Sequence, residues 1–140
     1  MALFLGFGMV SCSQGTPSAV KTAFNEKFPN ATSVKWEKEN ETEWEAEFKL
    51  NDVEYSANFS NDGIWKETEH EVAIGELPDV IKNVLENQYD GYTIKGAETV
   101  ETPTLSGFEV EIKKGKETLE IMIDADGIVQ KKNVGNEQED

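Results

Sequence analysis

The chain of 140 residues has one cysteine, one histidine and no uninterrupted apolar run longer than Met1–Val10. Each scarcity removes a class of explanation. A single cysteine, Cys12, cannot form an intramolecular disulfide, and Cys12 with His70 cannot assemble a His/Cys zinc cluster. Ser-His-Asp or Cys-His catalysis would have to use His70, and no nucleophile motif lies near it. Basic side chains are also few, 13 against 28 acidic ones, giving a formal net charge of −15. Phosphate backbones and anionic lipid head groups repel such a chain, so nucleic acid is excluded as the expected partner. The expectation is no catalytic residue, no metal site and no cofactor.

What is present begins with a targeting segment. Ala2–Val10 (ALFLGFGMV) is uncharged and too short to span a bilayer as a mature helix, but it suits the apolar region of a secretory signal. Met9-Val10-Ser11-Cys12 follows the pattern of a bacterial lipobox, with Met9 where leucine is usual and no basic residue ahead of the apolar run. Cys12 is therefore the expected lipidation site and the only expected link to a membrane. The location that follows is the periplasm, the outer membrane or the cell surface.

The rest of the chain repeats itself. One helical face is formed by Val20, Ala23, Phe24 and Phe28, a second by Ile81, Val84, Leu85 and Tyr89, at a constant offset of 61. Thr16-Pro17 reads as an N-cap and first helical residue, and Leu77-Pro78 opens the second helix. Downstream, Trp44–Lys49 (WEAEFK) aligns with Phe108–Lys113 (FEVEIK), and Asp62-Gly63-Ile64 with Asp126-Gly127-Ile128, now at an offset of 64. The three added residues fall near Thr102-Pro103-Thr104.

Alternation of period two predicts strands over 33–39, 42–50, 53–59 and 64–72, then 93–102, 108–113, 118–123 and 128–132. Asn51-Asp52, the two Asp-Gly pairs and Gly115 are the turns. The expected organisation is a signal and lipobox segment at 1–12, a linker at 13–16, repeat one at 17–72, a linker at 73–76, repeat two at 77–132 and a polar tail at 133–140. The fold class is α+β: a tandem duplication of a helix plus a four-stranded antiparallel sheet, in two layers. The helix-covered face collects Trp44, Ala46, Phe48, Leu50, Val53, Tyr55, Ala57 and Phe59. Repeat two supplies Phe108, Val110, Ile112, Leu119, Ile121 and Ile123.

The same count turns Glu43, Glu45, Glu47, Glu54, Asn58, Glu109, Glu111 and Glu120 toward the uncovered face, together with Trp65 and Met122. A wide acidic surface holding an aromatic and a methionine suits a basic protein or peptide. The alternative is a solvated face that only keeps the protein soluble. Asp124-Ala125-Asp126-Gly127 begins like a calcium loop, but position twelve is Gly135 instead of glutamate, so it is a turn. His70, among Glu67, Glu69 and Glu71, is a candidate for a raised pKa or a weak metal ligand, or plain strand surface.

Several strings together carry a family resemblance: Lys27-Phe28-Pro29-Asn30-Ala31, Val34-Lys35-Trp36-Glu37, Trp44-Glu45-Ala46-Glu47-Phe48, Tyr55-Ser56-Ala57-Asn58-Phe59, Asp62-Gly63-Ile64-Trp65, Leu77-Pro78 and Asp124-Ala125-Asp126-Gly127. Over residues 16–132 the chain resembles the PepSY-like, β-lactamase-inhibitor-like exported proteins of Bacteroides and relatives. The resemblance implies a fold like that of β-lactamase inhibitor protein. It carries over no catalytic residue and no inhibitory motif. Three functions follow as expectations: a binding module using the open acidic sheet face, an inhibitor or modulator of a hydrolase such as a peptidase or β-lactamase, and a structural envelope lipoprotein.

Overall fold

The structure is a computed structural model, and residues 15–134 are described. Cys12, the signal segment and residues 135–140 of the expected tail lie outside the described residues. The chain divides into two compact units between His70 and Glu71.

The first unit opens with α1 (Ser18–Lys27), followed by β1 (Thr32–Lys38), β2 (Glu43–Leu50), β3 (Val53–Ser60) and β4 (Trp65–Val72), the last crossing the division. The second contains a single 3₁₀ turn at Ile74–Glu76, α2 (Asp79–Gln88), β5 (Thr93–Glu101), β6 (Ser106–Lys114), β7 (Glu117–Asp124) and β8 (Val129–Val134). Within each unit successive strands pair antiparallel. The class is α+β, and strand ends lie within two residues of the expected ones.

Each helix forms because one stripe is apolar, and that stripe enters the core. Val20 and Phe24 of α1 are buried, as are Ile81 and Leu85 of α2. Proline sets both starts, and each helix begins one residue later than expected. Pro17 and Pro78 are themselves the N-caps, and no side chain caps either helix, so Thr16 does not do so. The Pro17 carbonyl accepts from the backbone N–H groups of Val20 and Lys21, and the Pro78 carbonyl from those of Ile81 and Lys82. A proline lacks the N–H that a cap leaves idle, and its φ near −57° leads directly into the helix. The 3₁₀ turn occupies the segment expected to be a plain linker.

Turn chemistry fixes the hairpins. Asn51 and Asp52 both have positive φ, 49° and 65°, the conformation that matches the twist of a two-residue hairpin. Gly63 has a φ of +84°, and a Cβ there would lie 2.5 Å from the Ala19 carbonyl oxygen of α1. At Gly127, also at +84°, a Cβ would meet the Val80 side chain of α2. Only glycine lets helix and turn approach this closely.

One irregularity recurs. Across β3 and β4, Asn58 faces Glu67 but Phe59 faces Trp65, so Lys66 is an extra residue. Across β7 and β8, Met122 faces Lys131 but Ile123 faces Val129, so Gln130 is extra. Two residues opposing one is a β-bulge, and it reverses the side-chain alternation beyond it. The strands of the first unit have a second shift before Lys35, those of the second unit one before Gly96.

The two cores differ in composition. Val20, Phe24, Trp44, Ala46, Phe48, Ala57 and Phe59 form the first, with Phe28, Trp36, Tyr55 and Trp65 packed around them. The second consists of Leu77, Ile81, Leu85, Ala97, Val110, Ile112, Leu119, Ile121 and Ile123, with Phe108 packed against it. Val53 departs from the expected covered set. It is 45% exposed, because it directly follows the Asn51-Asp52 turn, at the strand end opposite Leu50.

Candidate functional site: the acidic sheet faces

In each unit the sheet face away from the helix carries cross-strand rows of polar side chains. In the first, Glu37 of β1 is opposite Glu45 of β2, which is opposite Asn58 of β3. The next row runs Lys35, Glu47, Ser56 and Glu69. Glu54 faces Lys49, with their charged atoms 4.0 Å apart on exposed side chains, so that contact contributes little. In the second unit Glu98 is opposite Glu109, and Glu111 is opposite Glu120. Like charges directly across a ladder are destabilising. Glu45, Glu47, Glu54, Glu109, Glu111 and Glu120 thus lie where alternation expects them. Glu37 and Glu98 join them, and continuing the same alternation into β1 and β5 would have found both.

Trp65 and Met122 do not serve as exposed anchors. Because Lys66 is the bulged residue, Trp65 points to the helix-covered side. It faces Phe59, itself fully buried, and packs on the first core. Its indole N–H donates to the Thr68 hydroxyl at 2.9 Å, and the Lys27 ammonium at the end of α1 lies 3.6 Å from its ring centroid. Met122 does stand opposite Glu109, on the face away from α2, but is only 8% exposed. Alternation predicts direction, not cover, so the expectation of an accessible methionine fails there.

His70 does not have the raised pKa considered for it. Its ring stacks obliquely on Tyr55, centroids 4.5 Å apart, and partial burial lowers its pKa from the ordinary 6.5. Desolvation disfavours the charged imidazolium. No group of three or more His, Cys, Asp or Glu able to hold a metal occurs among the described residues. The Asp124 segment is a turn. Asp124 accepts from the backbone N–H groups of Asp126 and Ile128 and from the Gln130 side chain. These bonds, that from Ile128 foremost, hold its carboxyl below the usual range. In the first unit the Ser60 hydroxyl accepts from the Ile64 N–H in the same manner.

A cleft of about 320 Å³ opens in the second unit beside the C-terminal half of α2. Ile74, Lys82, Leu85, Tyr89, Tyr92 and Ile112 line it. Tyr89 and Tyr92 meet edge to face at 6.1 Å, and the Tyr92 hydroxyl donates to Glu117 at 2.5 Å, which raises its pKa. Sequence reasoning missed this cleft, since its residues come from the 3₁₀ turn, a helix end and two strands. No helix among the described residues is long and apolar enough to cross a membrane.

Comparison with known proteins agrees with this architecture. A BLIP-like protein from Bacteroides fragilis superposes with a TM-score of 0.79 at 22% identity, over 91% of this chain and 93% of its own. A DUF2874 family protein from Bacteroides uniformis gives 0.76 at 20% identity, over 86% and 90%. One of the "putative periplasmic proteins" of Bacteroides eggerthii gives 0.74 at 17% identity, over 86% and 90%. At such identities the likeness is one of fold. No curated protein matches the chain. The family model described as "Putative beta-lactamase-inhibitor-like, PepSY-like" matches twice, over residues 10–55 and 45–131. By these matches, which run through both units, the chain belongs to the PepSY-like, β-lactamase-inhibitor-like family.

Proposed function

We propose that the chain is an exported binding module that recognises a basic protein or peptide through its carboxylate-lined sheet faces, with no catalytic step of its own. One observation carries this reading: Glu111 stands directly opposite Glu120 on the face away from α2. Opposed like charges weaken a sheet, so folding alone gives no reason for them. A partner bearing lysine or arginine would relieve the repulsion, and the field of the face would speed encounter. Glu45, Glu47 and Glu54 offer the same chemistry in the first unit. The two units are read as tandem copies of one helix-and-four-strand element, in line with their matching offsets and bulges.

The test uses a lysine-rich peptide as probe. Charge reversal at Glu109 and Glu111 should slow association about tenfold or more at low salt and flatten its salt dependence. The neutral variant Glu111→Gln should fold more stably by about 0.2–1 kcal/mol. Unchanged association rates with the reversed charges would leave the face a solvated surface.

Export and tethering rest on the lipobox around Cys12 and on the periplasmic description of the Bacteroides eggerthii protein. In cells making the chain with a complete signal, the protein should fractionate with membranes, and Cys12→Ala should release it. Equal solubility of both forms would refute the anchor. The family description favours a second reading, in which the basic partner is a hydrolase that the module inhibits or modulates.

A further inference from the structure

The two units keep different things at one corresponding place. In the first, three rings meet under the helix: Phe24 lies 5.4 Å from Phe28 and 5.0 Å from Phe48, and Phe28 lies 4.7 Å from Phe48. At the sequence offsets of 61 and 64, the second unit has Leu85, Tyr89 and Ile112. One ring of three remains, and these three residues line the cleft of about 320 Å³. That volume suits a small ligand of about one ring with a short substituent.

The walls are apolar and aromatic, but one cation belongs to them. The Lys82 ammonium donates to the Gly75 carbonyl at 3.1 Å, leaving two further N–H donors. Across the cleft, Gly91 lies against a second ammonium, that of Lys114, which also sits 5.5 Å from the Tyr92 ring centroid. Glu86 and Asp90 border the cleft too, both exposed. They disfavour an anion placed at random, so a ligand's charge must sit beside Lys82.

We propose that this cleft binds an aromatic carboxylate, with the ring against Leu85, Tyr89 and Ile112 and the carboxylate on Lys82. The ring restores edge and face contacts like those the first unit makes with its own phenylalanines. A charge-assisted bond to the ammonium fixes orientation. The ligand chemistry has two sources: a free aromatic acid, or the last residue of a peptide ending in phenylalanine. The site is separate from the glutamate-bearing sheet face, since Ile112 and Leu85 belong to the helix-covered core.

Titration of the full chain with 3-phenylpropionate, followed by two-dimensional NMR, tests the proposal. Saturable shifts should appear at Lys82, Tyr89 and Tyr92 with a Kd on the order of 1 mM or tighter. The amide 3-phenylpropionamide should bind about tenfold more weakly, and Lys82→Met should remove that preference. Ile112→Phe, which reinstates the first unit's ring, should abolish binding. Should that variant fail to fold, Tyr92→Ala, at a partly exposed wall, should weaken binding severalfold. A tetrapeptide ending in phenylalanine with a free carboxylate separates the sources: binding equal to that of the free acid assigns the site to peptide C-termini, and its exclusion assigns it to small acids. Absence of saturable shifts, equal affinity for acid and amide, or binding undiminished in every variant that folds would overturn the proposal.

Discussion

The two units reach the same strand order with opposite ways of filling space. Across one row of the first sheet stand Trp36, Ala46, Ala57 and Thr68, one very large side chain followed by small ones. The corresponding row of the second unit holds Ala97, Val110 and Ile121, small first and larger after, and ends on the exposed Lys132. Interiors pack at nearly constant density, so volume removed at one position either returns at a neighbour or opens a cleft, as beside Leu85 and Ile112. The difference shows that this helix-and-sheet frame tolerates quite different side-chain sizes at matching positions of a row. It also localises the ring contacts, since of the Phe24, Phe28, Trp36, Phe48 and Phe59 cluster only Phe28 has an aromatic counterpart, Tyr89, in the second unit.

The comparison breaks most sharply at the helix anchors. Phe24→Ala should cost about 4–5 kcal/mol, because its 2%-exposed ring touches four other rings and the void cannot close. Leu85→Ala should cost less, about 2–3 kcal/mol, since Leu85 already borders a cleft into which water can enter. Chemical denaturation of both variants checks this, and equal losses would show the cores to be packed alike.

A smaller contrast lies in the turns. Gly63→Ala should destabilise by about 2 kcal/mol or more, combining a disfavoured positive φ with a clash against rigid backbone at Ala19. Gly127→Ala should cost about 1 kcal/mol, because the obstructing atom belongs to Val80, a partly exposed side chain that can rotate. Thermal melts of the pair should rank them in that order.

The smallest effect belongs to His70, which has no histidine counterpart in the second unit. Its folded pKa is lowered, so the fold binds the proton less well than the unfolded chain does. Its contribution is complete above the ordinary value of 6.5 and is lost as pH falls through that value toward the folded one. His70→Gln should therefore flatten the part of the stability profile just below pH 6.5, as measured by denaturation at several pH values. A wild-type profile that is unaltered by the substitution would assign the slope to carboxylates.

Wherever one residue's surroundings are decided by its near neighbours, the sequence carried the answer. Val20 with Phe24, and Ile81 with Leu85, show helical spacing, and each pair is buried as that spacing requires. Trp44, Ala46 and Phe48 alternate with glutamates, and their burial follows. The inference failed where a contact came from afar. Val53 satisfies alternation yet sits at a hairpin end, and Met122 faces away from α2 yet is covered. The glutamate positions of the candidate face were legible, whereas its aromatic anchor was not, since nothing in Ile64-Trp65-Lys66-Glu67 announces a bulge.

That bulge has a further consequence. Strand alternation behaves as a two-valued phase, and one extra residue advances it by half a cycle. Lys66 and Gln130 are therefore phase shifters, and their chemistry matters less than their number. Deleting Lys66 would place Trp65 directly before Glu67, on the opposite face from it, so the indole would still face Phe59 and only the extra residue would be gone. Trp65 and Glu67 are two residues apart, which in a regular strand would put them on one face; the added half-cycle at Lys66 is what keeps the tryptophan in the core and the glutamate outside.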